Sequence, residues 1–440
     1  MNNIAVVICT YNKREYVMDC IESVFKSNYS SFDLIVVDNA STDGSVEAVS
    51  EKYGEKLTLL VNDENKGGSG GFNRGMAFAM EKKQYKYIHL LDDDVIVDTD
   101  AICKLYDFME ENADVGLCGS LVMKMGMKDY IQDLGAMIDI DGFDIRQLYV
   151  GQMRSGDIPE YVECDYVAAC SAMYRVSALE ITGIINAEYF IYWDDMSLGW
   201  EMRIAGYRVC AYSQSVVWHY GAFASRNMFR RYYLLRNKIY SFVKYIDDAQ
   251  YSVFCENLVK RFFRMFSVNR DNPEFIYAYF HALDDAINNV RGKANSYKLV
   301  FPISSNKKFA EYFSEKRSIL IKYDKTFHEL DTLLNRIWKA TNATIHVLLD
   351  QQGIPIVDGI EYVNTADVSR YDAIVQLCYH ILDVGEYDRG KIYIDRYANH
   401  ILDSSDFDFY SNYDLHFDFF HDVFYEFIKS KLDALRARIH

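Results

Sequence analysis

At 440 residues, half of them hydrophobic and a quarter charged, the chain is long enough for two or three globular domains. Its 47 basic and 64 acidic residues leave a net charge of −17, which disfavours nonspecific nucleic-acid binding as the main task. Nine scattered cysteines without a Cys-x-x-Cys pair argue against a disulfide frame and a zinc site, and no apolar run nears the roughly 18–20 residues that span a bilayer.

Near the N-terminus, IAVVICTY reads as a buried strand with no basic flank before it, so it is not a signal peptide and a cytoplasmic protein is expected. REYVMDCIESVFKS follows with helical spacing, then FDLIVVDNAS as a second strand and GSVEAVSEKY as a second helix. LTLLVND is a third strand, GMAFAMEKK is helical, and YKYIHLLDDDVIV is a fourth strand ending in acid. This alternation predicts an α/β domain over residues 1–225 with a mostly parallel sheet flanked by helices. Ligands of such sheets bind beyond the carboxyl ends of the strands. Those ends carry Thr10 and Asn12, Asp38 and Asn39, Asn62, and Asp92 to Asp94.

Between the third strand and its helix lies ENKGGSGGFNRG, with five glycines in the nine residues 67–75. A Walker loop needs its lysine after the last glycine, whereas Lys66 precedes the run, and a dinucleotide fingerprint needs glycine where Asn73 stands. The expectation is a Gly-rich segment that lets main chain approach a charged ligand. Gly67, Gly68, Gly70 and Gly71 would then present amides, with Asn73 and Arg74 meeting a diphosphate or its sugar.

Asp92, Asp93 and Asp94 at one strand end are costly together unless a cation sits among them, and oxygen ligands suit Mg²⁺ or Mn²⁺. Asp38 either caps the following turn or holds a base or ribose. In YFIYWDDMSLGWEMRIAGYRV, Asp194 and Asp195 follow an aromatic run at a helix start, where a carboxyl of raised pKa suits a general base. His219, with Trp218 beside it, is a candidate third metal ligand.

Taken together, VVICTYNKREYVMDCIESV, IVVDNASTDGS, NKGGSGGFNRG, LLDDDV and WDDMSLGWEMRIAGYRV…VWHYG resemble glycosyltransferase family 2, the inverting GT-A enzymes, over roughly residues 1–240. The Phe-x-Arg-Gly ending with Trp-Asp-Asp and the later His is most similar to bacterial galactofuranosyltransferases and rhamnosyltransferases. The resemblance implies that Thr10, Asn12 and Asp38 hold the nucleoside, and that Asp92 and Asp94 bind Mn²⁺ or Mg²⁺ and the diphosphate with His219 completing the metal shell. It also implies Asp195 as general base, with Trp193 and Asp194 shaping the acceptor site. Asp93 between the two ligands departs from the plain pattern and leaves open which pair binds metal.

The implied activity is transfer of a sugar from a nucleotide-diphosphate donor to a hydroxyl of a glycan or lipid-linked glycan in bacterial cell-surface polysaccharide synthesis. UDP-galactofuranose is the first donor and dTDP-rhamnose the second. A nucleotidyltransferase would carry a Gly-rich basic loop where CTYNKRE stands, and a noncatalytic sugar-binding protein would not need metal acids, a base and a histidine together.

From residue 226 to 440 the texture becomes mainly helical, with a small α/β unit suggested near 343–380. RNMFRRYYLLRNKIYSFVKYI and VFCENLVKRFFRMF read as basic amphipathic helices, for which contact with the inner face of the cell membrane and packing against the sheet are the two readings. Homo-oligomer contacts are also assigned to this half.

Overall fold

The computed structural model describes residues 2–220, 228–299, 307–323, 330–349 and 357–440. The expected boundary at 225/226, the start of the first basic segment and residues 350–356 of the suggested α/β unit lie outside these. The chain divides into two compact units: Met1–Phe254 with Ala282–Asn295 and Ala434–His440, and Cys255–His281 with Ser296–Asp433.

In the first unit, β1 (Ile4–Thr10), α1 (Arg14–Phe25), β2 (Phe32–Asp38), α2 (Ser45–Tyr53), β3 (Thr58–Val61), α3 (Gly67–Lys82) and β4 (Tyr87–Asp92) follow the expected alternation. After them come β5 (Val95–Val97), α4 (Ala101–Glu111), β6 (Val115–Lys124), β7 (Met127–Asp133), β8 (Ala136–Asp139), β9 (Asp144–Gln147), β10 (Tyr161–Glu163) and β11 (Ser171–Arg175). The last are α5 (Val176–Thr182), α6 (Asp194–Ile204), β12 (Arg208–His219) and α7 (Met228–Tyr245).

The main sheet runs β10-β12-β6-β11-β4-β1-β2-β3. Its β4-β1-β2-β3 half is parallel, as the alternation predicts, and the rest is mixed because β11 inserts antiparallel between β4 and β6. Strand β1 is apolar on both faces: Ile4, Val6 and Ile8 join the cluster under α1 and α4, while Ala5 and Val7 join the one under α3. Register aligns the strand ends, with Thr10 opposite Asp38 and Cys9 opposite Asp92.

The glycine run is not a loop. Helix α3 begins at Gly67 and takes in the whole run. Glycine serves close packing here: a Cβ on Gly71 would overlap Cys9 Sγ, one on Gly75 would overlap Val7, and one on Gly67 (φ +74) would overlap the Phe190 carbonyl. The bare face of α3 formed by Gly67, Gly71 and Gly75 thus sits directly on β1 and on the segment before α6.

The second unit holds β13 (Ser318–Tyr323), β14 (Thr344–Leu348), β15 (Glu361–Val363), β16 (Ala373–Cys378), β17 (Ile392–Asp395) and β18 (His400–Ile401), ordered β15-β14-β13-β16-β17-β18. All neighbours are parallel except β17 and β18. This sheet reaches well beyond the suggested 343–380, and its short strands explain why the pattern was faint. Helices still dominate the C-terminal half, from α8 (Asp248–Val268) and α9 (Pro273–Ile287) through α10 (Lys307–Ser314), α11 (Leu330–Lys339) and α12 (Ser404–Ser411) to the long α13 (Tyr413–Ile439).

Much of the apolar surface of the basic helices is buried. In α7, Tyr232, Tyr233, Ile239, Phe242 and Val243 are fully buried, and in α8 so are Phe254 and Leu258. These side chains lie on the apolar face of each helix. Among the described residues no helix is long and apolar enough to cross a membrane.

Packing of α3 makes a graded prediction. Gly71→Ala and Gly75→Ala should each lower stability by about 1–3 kcal/mol or more in urea unfolding. Gly68→Ala, whose added methyl meets nothing within 4 Å, should be neutral or stabilise by up to about 1 kcal/mol.

Candidate active site

Strand β12 pairs antiparallel with β5, setting His219 opposite Val95, and the Tyr220 N–H donates to the Asp94 carbonyl at 3.0 Å. That pairing joins residues far apart in sequence. His219 Nε2 lies 3.0 Å from Asp94 Oδ1 and 3.8 Å from Asp92 Oδ2. One potential ligand atom from each of Asp92, Asp94 and His219 falls within 4.8 Å of the others. Asp93 turns away from them to Lys13, whose Nζ is 2.9 Å from Asp93 Oδ1 and 2.8 Å from Asp94 Oδ2.

Charge crowding shows in the carboxyls. Burial, then the Asp94 charge, pushes Asp92 up to about 7. Burial would also raise Asp94, but the His219 hydrogen bond and the charges of His219 and Lys13 outweigh it and hold the group low. Asp93 is raised by burial in spite of Lys13. For Lys13 and His219 burial opposes the charged form, yet the carboxylates beside them win and raise both. The donor set of two carboxylates and an imidazole fits a hard divalent cation, whose six-coordinate shell with bonds of about 2.1 Å sets adjacent donors about 3 Å apart.

Thr10 Oγ1 and Asp38 Oδ2, at adjacent strand ends, are buried without a hydrogen-bond partner. The other Asp38 oxygen accepts from Ser41 N at 2.8 Å, so the turn-capping reading also holds. Two orphaned polar atoms side by side suit a polar ligand such as a ribose or base. Asn12 is pinned instead: in the left-handed region (φ +52), it accepts from Thr42 N at 2.7 Å and clamps the loops after β1 and β2 together.

Several expected ligand contacts are internal. Asn39 donates to the Gly67 carbonyl and accepts from Asn62, each at 2.7 Å, so it ties β2 to α3. Asn73 donates to the Ile185 carbonyl, and Arg74 donates to the Val61 carbonyl and to Asn62. Within the glycine run, the Gly67 amide is held by Asn65 and the Ser69 amide by Phe190. A Cβ on Gly70 would meet Lys66 at 2.7 Å, which leaves Gly68 as the glycine facing open space.

Helix α6 starts at Asp194 with Trp193 as its N-cap in the left-handed region. That backbone turns the indole inward. Trp193 is 1% exposed, its ring 5.9 Å from Phe242, so it belongs to the core and does not wall the acceptor site. Trp218, alternating with His219 on β12, packs into the apolar cluster that includes Met123 and Ile131. Asp194 is buried and its carboxyl raised by that burial, partly offset by the Ser69 hydroxyl. Asp195 Oδ2 accepts from Ala169 N at 3.2 Å and Oδ1 from its own neighbour Met196 N at 2.8 Å. Burial and the Asp194 charge push Asp195 up to about 7, and the Asp92 charge adds to this. Burial, then the charges of Asp92, Asp133, Asp94 and Asp195, raise the Cys170 thiol.

Two residues that touch these acids and His219 escaped the sequence reading. Lys13 could have been suspected as a cation three positions past a strand end. Gln132, whose amide Nε2 lies 2.7 Å from His219 Nδ1, carried no signal because only the β6–β7 hairpin brings it there.

With the geometry in hand, comparison with known proteins narrows the reading. Residues 5–182 match the model for glycosyl transferase family 2.

This stretch is similar to the family 2 glycosyl transferases.

It is 30% identical over 112 residues to the putative teichuronic acid biosynthesis glycosyltransferase TuaG of Bacillus subtilis, covering 25% of this chain and 43% of that one. Against glycosyltransferase GlyG of Streptococcus pneumoniae it is 34% identical over 115 residues, 26% of this chain and 37% of the other. The chain therefore spans about two fifths of the length of these curated relatives. The crystal structure of Staphylococcus aureus TarS 1-349 superposes with a TM-score of 0.44 at 18% identity, over 66% of this chain and 81% of that one.

The raised Asp195 carboxyl predicts a stability difference. A carboxyl at about 7 when folded against about 3.9 unfolded takes up a proton on folding, so the native protein loses stability as pH rises from about 4 through 7. Asn cannot titrate. The Tm of Asp195→Asn minus that of the wild type should shift in the variant's favour between pH 5 and pH 8, read by scanning fluorimetry, whatever its sign at pH 5.

Proposed function

We propose that this chain is an inverting glycosyltransferase that moves a sugar from a nucleoside-diphosphate donor to a hydroxyl of a bacterial cell-surface glycan or lipid-linked glycan. One observation supports the reading: an Asp–Asp–His cluster stands at the strand ends beside the stretch that matches family 2, and the Asp92 charge of that cluster helps to raise the buried Asp195 carboxyl.

The residues divide the work. Asp38 and Thr10 offer their orphaned oxygens to the nucleoside. Asp92, Asp94 and His219 would hold Mn²⁺ or Mg²⁺, which supplies positive charge against the diphosphate leaving group. Lys13 adds a fixed positive charge beside it. Asp195, oriented by the Ala169 and Met196 amides, takes the proton of the acceptor hydroxyl as that oxygen attacks the anomeric carbon from the face opposite the diphosphate. A single displacement inverts the anomeric centre. UDP-galactofuranose is the first donor proposed, on the Phe-x-Arg-Gly, Trp-Asp-Asp and His motifs, and dTDP-rhamnose the second. Thermal shift with a donor panel in Mn²⁺ separates them.

Asp195→Asn should lower turnover about 10²–10⁴-fold while donor binding persists. Wild-type turnover should fall about tenfold per pH unit below about 7, because the base is then protonated. Transfer by Asp195→Asn near the wild-type rate would exclude it as base.

Excess chelator should abolish transfer, and added Mn²⁺ should restore it. Gln132→Ala, which frees the His219 ring, should raise the Mn²⁺ concentration for half-activation about 10–100-fold. Full activity in chelator would overturn the metal role.

A further inference from the structure

The segment entering α6 is strained. Phe190, Tyr192 and Trp193 all have positive φ (67°, 64° and 68°), a conformation bulky L residues avoid. Three such residues within four positions persist only where the surroundings over-determine them, and such strain concentrates at functional sites.

The surroundings here are two adjacent residues of α7. The Asn237 amide Nδ2 lies 3.0 Å from the Tyr189 carbonyl oxygen, 2.9 Å from that of Ile191 and 2.9 Å from that of Tyr192. Arg236 Nη2 reaches the same Tyr189 carbonyl at 3.0 Å, and its Nε donates to Asn237 Oδ1 at 2.9 Å. A guanidinium only donates, so this last bond fixes which end of the amide faces the carbonyls. Both side chains are essentially unexposed. Arg236 is anchored in turn by the Gly292 carbonyl at 2.8 Å and by the faces of Tyr232 and Tyr233. On the far side, the Ser69 amide of α3 holds the Phe190 carbonyl at 3.1 Å. Immediately after this clamped turn come Asp194 and Asp195, and no side chain caps the helix they begin.

We infer that Asn237, oriented by Arg236, is a positioning residue for Asp195: it holds the strained turn that sets where α6 begins and so where the carboxylate points. Asn237 touches neither donor nor acceptor. It acts through three main-chain carbonyls. The inference rests on Asp195 being the proposed base, and it assigns part of that residue's aim to a helix outside the family-matched stretch.

Asn237→Ala and Arg236→Lys in the full chain test it. A displacement of about 1 Å at a reacting group costs about 10²-fold, so Asn237→Ala should lower kcat by about that factor, and Arg236→Lys, which keeps the charge but loses the fork, by about tenfold. Donor-induced thermal shift in Mn²⁺ should stay within a few-fold of wild type for both. Carboxyl ¹³C NMR, with the Asp195 signal assigned by its loss in Asp195→Asn, should show its titration moved by about half a pH unit or more in Asn237→Ala. A folded Asn237→Ala with kcat within twofold of wild type and an unmoved titration overturns the inference. If Asn237→Ala does not fold, Arg236→Lys decides by the same two readouts. Should the wild type transfer no sugar from any donor, the proposed function fails instead, and the titration alone decides: moved, the positioning role stands; unmoved, it falls.

Discussion

The site depends on the antiparallel pairing of β12 with β5. A strand that arrives after α6 lies down beside the three residues following the acid turn, and its last residue, His219, is thereby delivered to Asp94 and Asp92. Because α6 and β12 are consecutive elements, the same excursion that brings the histidine also brings Asp195. His219 and Asp195 are thus set relative to one another by a short, packed connection and a strand register.

What the pairing assembles is electrostatically unfavourable in isolation. Four carboxyls, Asp92, Asp93, Asp194 and Asp195, are pushed up, and the Cys9 and Cys170 thiols between them are raised by burial and by those acids. Only Asp94, paired with His219 and Lys13, is stabilised as an anion. Such a concentration lowers stability at neutral pH, and the apolar layers on both faces of the sheet offset it.

Much of this was legible in the sequence. Strands β1, β2 and β4 are continuous apolar runs ending in polar residues, so both their nature and their ligand-facing ends could be read directly. The acid turn and His219 could be nominated, although nothing local said that β12 would fold onto β5. The glycine run misled because glycine permits close approach of any backbone, and periodicity cannot say whether the neighbour is a ligand or a strand. Trp193 misled for a related reason: an aromatic beside two acids looks like a site wall until the left-handed N-cap points it inward. Gln132 and Asn237 act through tertiary contacts alone, and a lone amide in a strand or helix has no pattern to betray it. In the second unit, strands of two to six residues with polar flanks left too little alternation to count.

Helix α3 meets Cys9, Val7 and the Phe190 carbonyl with bare glycine backbone, while Phe72, Met76 and Ala79 fill the apolar cluster beside them. Seated this way it behaves as a rigid shim between β1 and the turn that launches α6. Thickening the shim by a methyl group on its packed side would tilt both at once. Side chains added to the run would therefore be tolerated most readily at Gly68, where a Cβ projects into open space and leaves the wedge in place.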